Sequence, residues 1–461
     1  MLNQKHLSFF SKIVGRDNCK SDKLYLKGYS YDSTRQIFEP DCVIFPQNEN
    51  QISQILSYCN KHLIPVVPRG AGSGMSGGSL CANGGVVLAM EKYFNQILEI
   101  DEKNLTARVQ PAVINKVLQN EVEKKGLFYP PDPASQEFST IGGNVGENAG
   151  GMRALKYGTT KDYILALRAV LPNGDVICAG KKTIKDVAGY NLVGILCGSE
   201  GTLAVITEIT LKLLAKPKVT QVMIGSFGSI QDSMNAVYQT LAEGVTPVAM
   251  EFLDTLTLQA LSVKMNKEIA KEAKAVLILQ IDGDILESLA YQTQKIKEVF
   301  FKNKCLDFQI AKDQDKANEI WSMRRNASQS ITIYGKKKLN EDITVPRGNL
   351  PKLLEGIEEI GRKYNLKIVC FGHAGDGNVH TNVMIQDSQD EEELQRGYRA
   401  VEEIFRLTIG LEGTLSGEHG IGLSKALFMQ LAFSEAEMNL FKNLKKAFDP
   451  NNILNPNKMG L

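Results

Sequence analysis

An α+β fold in more than one domain is predicted from three features of the sequence. At 461 residues the chain exceeds what a single hydrophobic core supports, so two or three domains are expected. Three glycine-rich stretches, each tied to a strand-like run, lie between residues 69 and 207. Beyond Lys216-Pro217 the glycine density drops and strand-like runs alternate with helix-like ones. That alternation predicts an α+β domain with an antiparallel sheet and helices on one face.

In the first part, Ile52, Ile55, Leu56 and Cys59 keep the spacing of an amphipathic helix over 50–61. Leu63-Ile-Pro-Val-Val-Pro68 and Gly85-Val-Val-Leu-Ala-Met90 read as strands on either side of Arg69-Gly-Ala-Gly-Ser-Gly-Met-Ser-Gly-Gly78. The glycine run contains Gly72-x-Gly74-x-x-Gly77, but a strand follows it. A nicotinamide-dinucleotide fingerprint needs a helix there, so that reading is rejected. Small consecutive residues still expose backbone N–H groups, and such a nest binds phosphate oxygens without a helix. Residues 112–126 read as a helix that Gly126 ends. The second glycine-rich loop is Thr140-Ile-Gly-Gly-Asn-Val-Gly-Glu-Asn-Ala-Gly-Gly151, continuing to Tyr157-Gly158. Strands follow at 163–170 and 175–179, then the third loop, Gly198–Thr207, and an alternating strand. One large phosphate-bearing ligand wrapped by loops of one scaffold accounts for all three stretches.

In the second part, strands are expected at 219–227, 275–281 and 367–371, and helices at 229–242, 284–302, 350–364 and 391–409, with a last helix at 434–447. Leu350, Leu353, Leu354, Ile357 and Ile360 set the phase of one of these.

Composition narrows the function classes. Hydrophobic content of 43%, charged content of 23% and a net charge of +1 are ordinary for a globular protein and point to no nucleic-acid partner. No apolar run spans a bilayer and the first residues lack a secretory signal core. The eight cysteines are single, with no C-x-x-C, so neither an iron–sulfur cluster nor a structural zinc is encoded. They read as buried free thiols of a reducing cytoplasm.

The chain has five histidines, and three of them lie in glycine-rich turns: His373 and His380 in Phe371-Gly-His-Ala-Gly-Asp-Gly-Asn-Val-His380, and His419 in Ser416-Gly-Glu-His-Gly-Ile-Gly422. Histidine is the commonest metal ligand and the best side chain for proton transfer near neutral pH. Two histidines and a remote Glu-His pair suffice for a two-His, one-carboxylate metal site with one His left over.

Together these segments resemble the flavin-dependent 2-hydroxyacid dehydrogenases of the vanillyl-alcohol-oxidase superfamily, the group of the glycolate oxidase catalytic subunit, D-lactate dehydrogenases and D-2-hydroxyglutarate dehydrogenase. The likeness runs from about residue 20 to Lys458 and rests on Pro68-Arg-Gly-Ala-Gly-Ser73, Gly142–Gly151, Gly198–Thr202, His373–His380, Gly417-Glu-His-Gly420 and Asn455-Pro-Asn-Lys458. It implies a two-part FAD-binding domain at 1–215, a substrate domain at 216–415 and a C-terminal segment at 416–461 returning to the FAD domain.

By the same resemblance, FAD is held by Pro68, Arg69, Gly70, Ala71, Gly72, Ser73, Ser76 and Gly77 of the first loop. Pro131, Thr140, Gly142, Gly143, Asn144, Gly146, Asn148, Ala149, Gly150, Gly151, Tyr157 and Gly158 follow, then Glu200, Gly201, Ile206 and Asn455. No histidine lies between residues 63 and 372, so the FAD is expected to be non-covalent. The resemblance makes His373, His380 and Glu418 ligands of a divalent metal, zinc first, with Mn and Fe(II) also suited to the donor set. It makes His419 the catalytic base and Arg324, in Trp321-Ser-Met-Arg324, and Asn382 the substrate contacts. Where D-2-hydroxyglutarate dehydrogenase carries a substrate-holding lysine, two residues before an Asp-x-x-x-Pro element, this chain has Asn340 before Asp342-Ile-Thr-Val-Pro346. That favours a small monocarboxylate such as glycolate or D-lactate. Electrons must leave to a quinone, a soluble carrier or an iron–sulfur partner subunit. A cytoplasmic protein is expected, with peripheral attachment to the inner face of the membrane compatible with it. The alternatives are D-2-hydroxyglutarate oxidation, a flavin-bearing electron-transfer subunit, a colourless metal-dependent hydrolase, and flavin use without net redox.

Overall fold

The computed structural model describes residues 2–266, 269 and 272–461. The chain forms two compact units: Met1–Gly151, Gly158–Lys216 and Glu418–Leu461 make the first, and Met152–Tyr157 with Pro217–Gly417 the second.

Besides a two-stranded ladder of Leu127–Phe128 with Leu214–Ala215, the first unit holds two larger sheets. In the smaller, the order is Cys19–Lys20, Cys42–Ile44, Val86–Ala89, Val66–Arg69. The last three are parallel, and the edge pair Cys19–Lys20 runs antiparallel to Cys42–Ile44. Parallel strands need a crossover, which the helix Glu49–His62 supplies. Asn48 caps it by accepting the Gln51 N–H, and Ile52, Ile55, Leu56 and Cys59 are its buried stripe. Residues 453–455 return to this sheet: Val66 N–H donates to the Ile453 carbonyl, and Asn455 N–H donates to the Val66 carbonyl. The larger sheet is antiparallel throughout, in the order Ile97–Asp101, Thr106–Val109, Val205–Lys212, Ile164–Val170, Val176–Gly180.

The stretch expected as a second glycine-rich loop is in part a helix, Ile141–Glu147. Thr140 caps it, its hydroxyl accepting the Gly143 N–H. Glycine is a poor helix former, but Gly142 lies against Pro111, and a Cβ there would come within 2.4 Å of the proline Cβ. Packing, not propensity, sets this helix.

The second unit is a seven-stranded antiparallel sheet, ordered Cys305–Ile310, Val219–Phe227, Ala275–Gly283, Ala249–Asp254, Lys367–His373, Asn378–Ile385, Lys337–Thr344. Helices cover both of its faces, not one as the sequence pattern suggested. Leu258 and Leu261 of the helix Thr255–Met265, with Ile320 and Trp321 of Gln314–Ser330, pack on Val276, Ile278, Leu253 and Phe371. On the other side Phe300 of Leu286–Lys302 meets Phe227, ring centres 5.2 Å apart. The central strands show why. Ala249–Asp254 and Asn378–Ile385 are buried at every position, and a strand buried on both faces needs cover on both.

Among the described residues no helix is long and apolar enough to cross a membrane.

Candidate functional sites of the two units

In the first unit a cavity opens between the glycine-rich stretches. Pro68, Arg69, Gly70, Ala71, Gly72 and Ser73 line it from the first; Thr140, Gly142, Gly143, Asn144, Gly146, Ala149 and Gly150 from the second; Glu200, Gly201 and Ile206 from the third. The lining also includes Gly74, Met75 and Glu147 from within those stretches, and Pro133, Ala134 and Ser135, to which the sequence reading gave no role. Glu418 and His419 line the same cavity. Ser76, Gly77, Pro131, Asn148, Gly151, Gly158 and Asn455 lie outside the lining. Asn455 braces it instead, donating to the carbonyls of Gly78 and Glu200. Tyr157 falls in the second unit, where its hydroxyl donates to Asp282.

The first loop is held from behind. The Arg69 guanidinium donates to the Ser79 carbonyl and hydroxyl and, at 2.8 Å, to the Tyr31 carbonyl. Gly72 has φ +67°, and a Cβ there would overlap that guanidinium at 2.2 Å. Gly72→Ala is therefore expected to distort the loop and weaken the cofactor complex about tenfold, the effect of roughly 1–2 kcal/mol of left-handed strain. A flavin titration that gives the wild-type dissociation constant would remove this loop from the cofactor site.

Room for a ligand is visible at Gly146, where a Cβ would meet no protein atom within 4 Å although the residue lines the cavity. Two buried carboxyls sit in the same wall. Burial, and then the neighbouring Glu200, push the Glu147 carboxyl well above its ordinary range. Its Oε2 makes no hydrogen bond among the described residues. Glu200 is raised by burial too, against the Ile421 and Gly422 N–H groups that donate to it at 2.7 and 2.6 Å. An un-ionised carboxyl at Glu147 would leave this wall one negative charge fewer. An acid inside an otherwise uncharged glycine-rich stretch was the available sequence signal.

In the second unit the residues of interest share one face of the sheet. Glu251 pairs with His373, Phe371 with His380, and Asp342 with His380 in register. With a side-chain period of two, Asn382, Asn340 and Lys338 fall on that face as well. The His373 and His380 rings are 5.2 Å apart, nearly perpendicular.

Glu251 organises the group and was not foreseen from the sequence. Fully buried, it takes His373 Nδ1 on Oε1 at 2.7 Å and the Arg324 Nε–H on Oε2. Burial alone would raise its carboxyl, but the charges of His373 and Arg324 outweigh that and hold it below the ordinary range. The contact with Glu251 engages Arg324 through Nε, and among the described residues the terminal nitrogens of its guanidinium make no hydrogen bond. Its guanidinium carbon stands 5.1 Å from the centre of the Phe371 ring. Asp342, also fully buried, accepts from Asn378 Nδ2, the Ser416 hydroxyl and the Gly417 N–H. Asn382 donates to the carbonyls of Val369 and His380, and its Oδ1 is buried without a partner among the described residues.

Comparison with known proteins identifies the family. Residues 40–180 match the FAD binding domain family, and residues 216–459 match the FAD linked oxidases, C-terminal domain. The chain is similar to the glycolate oxidase subunit GlcD of Bacillus subtilis, 43% identical over 97% of this chain and 95% of the relative. It is similar to a D-lactate dehydrogenase of Archaeoglobus fulgidus, 34% identical over 94% and 95%. It also resembles a D-2-hydroxyglutarate dehydrogenase of Stutzerimonas stutzeri, 32% identical over 94% of each. Among solved structures, substrate-bound p-cresol methylhydroxylase shares the fold, with a TM-score of 0.82 at 18% identity over 100% of this chain and 98% of the other.

Proposed function

Because the chain belongs to the FAD-linked oxidases, in the group of glycolate oxidase, D-lactate and D-2-hydroxyglutarate dehydrogenases, we propose that it oxidises a small D-2-hydroxyacid, D-lactate or glycolate, to the 2-oxoacid. The observation that carries this reading is Arg324. A planar guanidinium tethered through Nε keeps its two terminal nitrogens for one carboxylate, a bidentate pairing.

Each residue has a task in that reaction. Arg324 binds the substrate carboxylate. His419 takes the proton of the 2-hydroxyl as the general base. Asn382 contacts the substrate from the strand that carries His380. FAD, when bound in the cavity of the first unit, supplies the acceptor for the hydride on C2. The backbone N–H groups of residues 69–73 would hold its pyrophosphate. Ile206, Gly201 and Pro133 line the walls of that cavity.

His373 and His380 fit a divalent metal by their chemistry. With Glu251 on Nδ1 of His373, the neutral ring that a metal selects would present Nε2 as its lone pair, the arrangement metal-binding histidines share. Such a metal, zinc first and Mn or Fe(II) next, would lower the pKa of a hydroxyl bound to it. Glu418 as the third ligand is carried by the family likeness. Electrons then pass to a quinone, a soluble carrier or an iron–sulfur partner, since the chain has no C-x-x-C pair of its own.

A second reading, D-2-hydroxyglutarate, has one observation in its favour. Lys338 shares the sheet face of Asn340 and Asp342, where its Nζ donates to the Ser328 hydroxyl. A lysine there is a candidate for a second carboxylate.

An anaerobic visible spectrum of the purified protein, taken before and after D-lactate, glycolate or D-2-hydroxyglutarate, decides between them. Bleaching of the flavin band by a monocarboxylate is the expected result. Bleaching by D-2-hydroxyglutarate alone would replace the first reading with the second. A flavin band that none of the three bleaches would overturn both. In parallel, His373→Ala should lose metal while retaining flavin, and full activity in that variant would end the metal proposal.

A further inference from the structure

Cys19, on the edge strand of the smaller sheet of the first unit, and Cys42, on the strand paired with it, have their sulfurs 3.6 Å apart. The register pairs Cys19 with Ile44, and Cys42 lies two residues from Ile44, so both thiols project on the same face. Cys19 is partly exposed and Cys42 buried. The hydrogen bond between them favours the thiolate on Cys19, whose pKa is held down to about 7, and the same bond, with burial second, pushes the Cys42 thiol up. A partly exposed, low-pKa thiol beside a buried one is the arrangement of an attacking and a resolving cysteine.

The chain between them reaches the first glycine loop. Tyr31 accepts the Arg69 guanidinium at 2.8 Å, and Ser33 donates its N–H to the Gly74 carbonyl at 3.2 Å and its hydroxyl to the Ser73 carbonyl at 3.1 Å. A bond between Cys19 and Cys42 would therefore tie together both ends of the segment that braces this loop.

We propose that Cys19 and Cys42 are a reversible dithiol pair, oxidised by low-molecular-weight disulfides, whose closure fastens the segment bracing the flavin-facing glycine loop. The Cys19 thiolate attacks one sulfur of the external disulfide, forming a mixed disulfide and expelling a thiolate. Cys42 gives up its proton and attacks Cys19 Sγ, forming the Cys19–Cys42 bond and expelling the second thiolate. Two protein thiols are oxidised, one external disulfide is reduced to two thiols, and the protons pass to the leaving thiolates. A cross-link at this place restricts local opening of the brace, so bound flavin should leave more slowly.

The bracing half rests on the flavin reading of the cavity; the cross-link does not. The holoenzyme, carrying Cys178→Ser to remove the exposed thiol, is incubated with oxidised glutathione, alkylated and mapped by mass spectrometry. The expected product is a Cys19–Cys42 peptide pair lighter by two hydrogens and restored by dithiothreitol. With Cys42→Ala added, the glutathione adduct on Cys19 should persist. A persistent adduct with Cys42 intact, or an unreacted Cys19, overturns the proposal. Flavin release, followed by fluorescence on dilution, should be several-fold slower in the oxidised protein and unchanged by oxidation in the Cys42→Ala variant. Equal release from oxidised and reduced protein removes the bracing half. A cross-linked protein that binds no flavin refutes the functional reading and leaves the dithiol standing.

Discussion

His419→Asn is expected to lower turnover by about 10²–10⁴-fold, the range that a positioned general base contributes. His419 lines the cavity of the first unit beside Glu418, at the end of a loop whose next residues, Ile421 and Gly422, are pinned by their N–H groups to Glu200. The substitution leaves that anchoring intact, so flavin binding should be preserved. The loss should appear in the rate of flavin reduction by the hydroxyacid, read by anaerobic stopped-flow absorbance. A reduction rate within a few-fold of wild type would take the base role away from His419.

Glu251→Gln is the second large effect, and it separates stability from chemistry. The carboxylate is fully buried between His373 and Arg324, and its low pKa reflects two favourable charges that outweigh burial. Removing one partner of a buried ion pair leaves the other uncompensated, at a cost of about 3–5 kcal/mol. The amide keeps the shape, so the change should appear as a lower denaturation midpoint and not as a new fold. Losing the anion that fixes the His373 tautomer should also weaken metal binding by about 10–100-fold. An unchanged midpoint together with unchanged metal content would show that Glu251 organises nothing. Because its pKa is depressed in the folded state, its contribution is present above the unfolded value near 4.5 and is lost as pH falls through the lower folded value.

These two residues also mark what the sequence could convey. His419 was legible because histidine is rare in this chain and its neighbours are glycines. Long periodic helices were legible for a similar reason. Leu350, Leu353, Leu354, Ile357 and Ile360 predicted a helix, and all five are buried in Leu350–Tyr364. The α+β class followed from the alternation of such segments. Glu251 was not legible. It is one acid in the apolar run Ala249–Asp254, and its partners, Arg324 and His373, are far along the chain. Only strand register and a helix laid over the sheet bring them together. The helix Ile141–Glu147 was hidden in the same way, since its glycines argue locally against a helix while contact with Pro111 demands them. Cover on both sheet faces was missed because the fully buried strand Asn378–Ile385 mixes polar residues with apolar ones and shows no clean alternation.

The return of residues 453–455 to Val66 has a consequence for biosynthesis. The first unit draws on segments that leave the ribosome at the beginning, the middle and after residue 417, whereas residues 217–417 of the second are continuous. The Lys445 ammonium, buried against Asp449 and the carbonyls of Thr202 and Leu454, is one clasp that closes the first unit late. Released chains truncated near residue 420 should therefore carry a protease-resistant second unit and a first unit whose sheet edge at Val66 is still open. Such an edge is a site for chaperone capture or mispairing until synthesis proceeds.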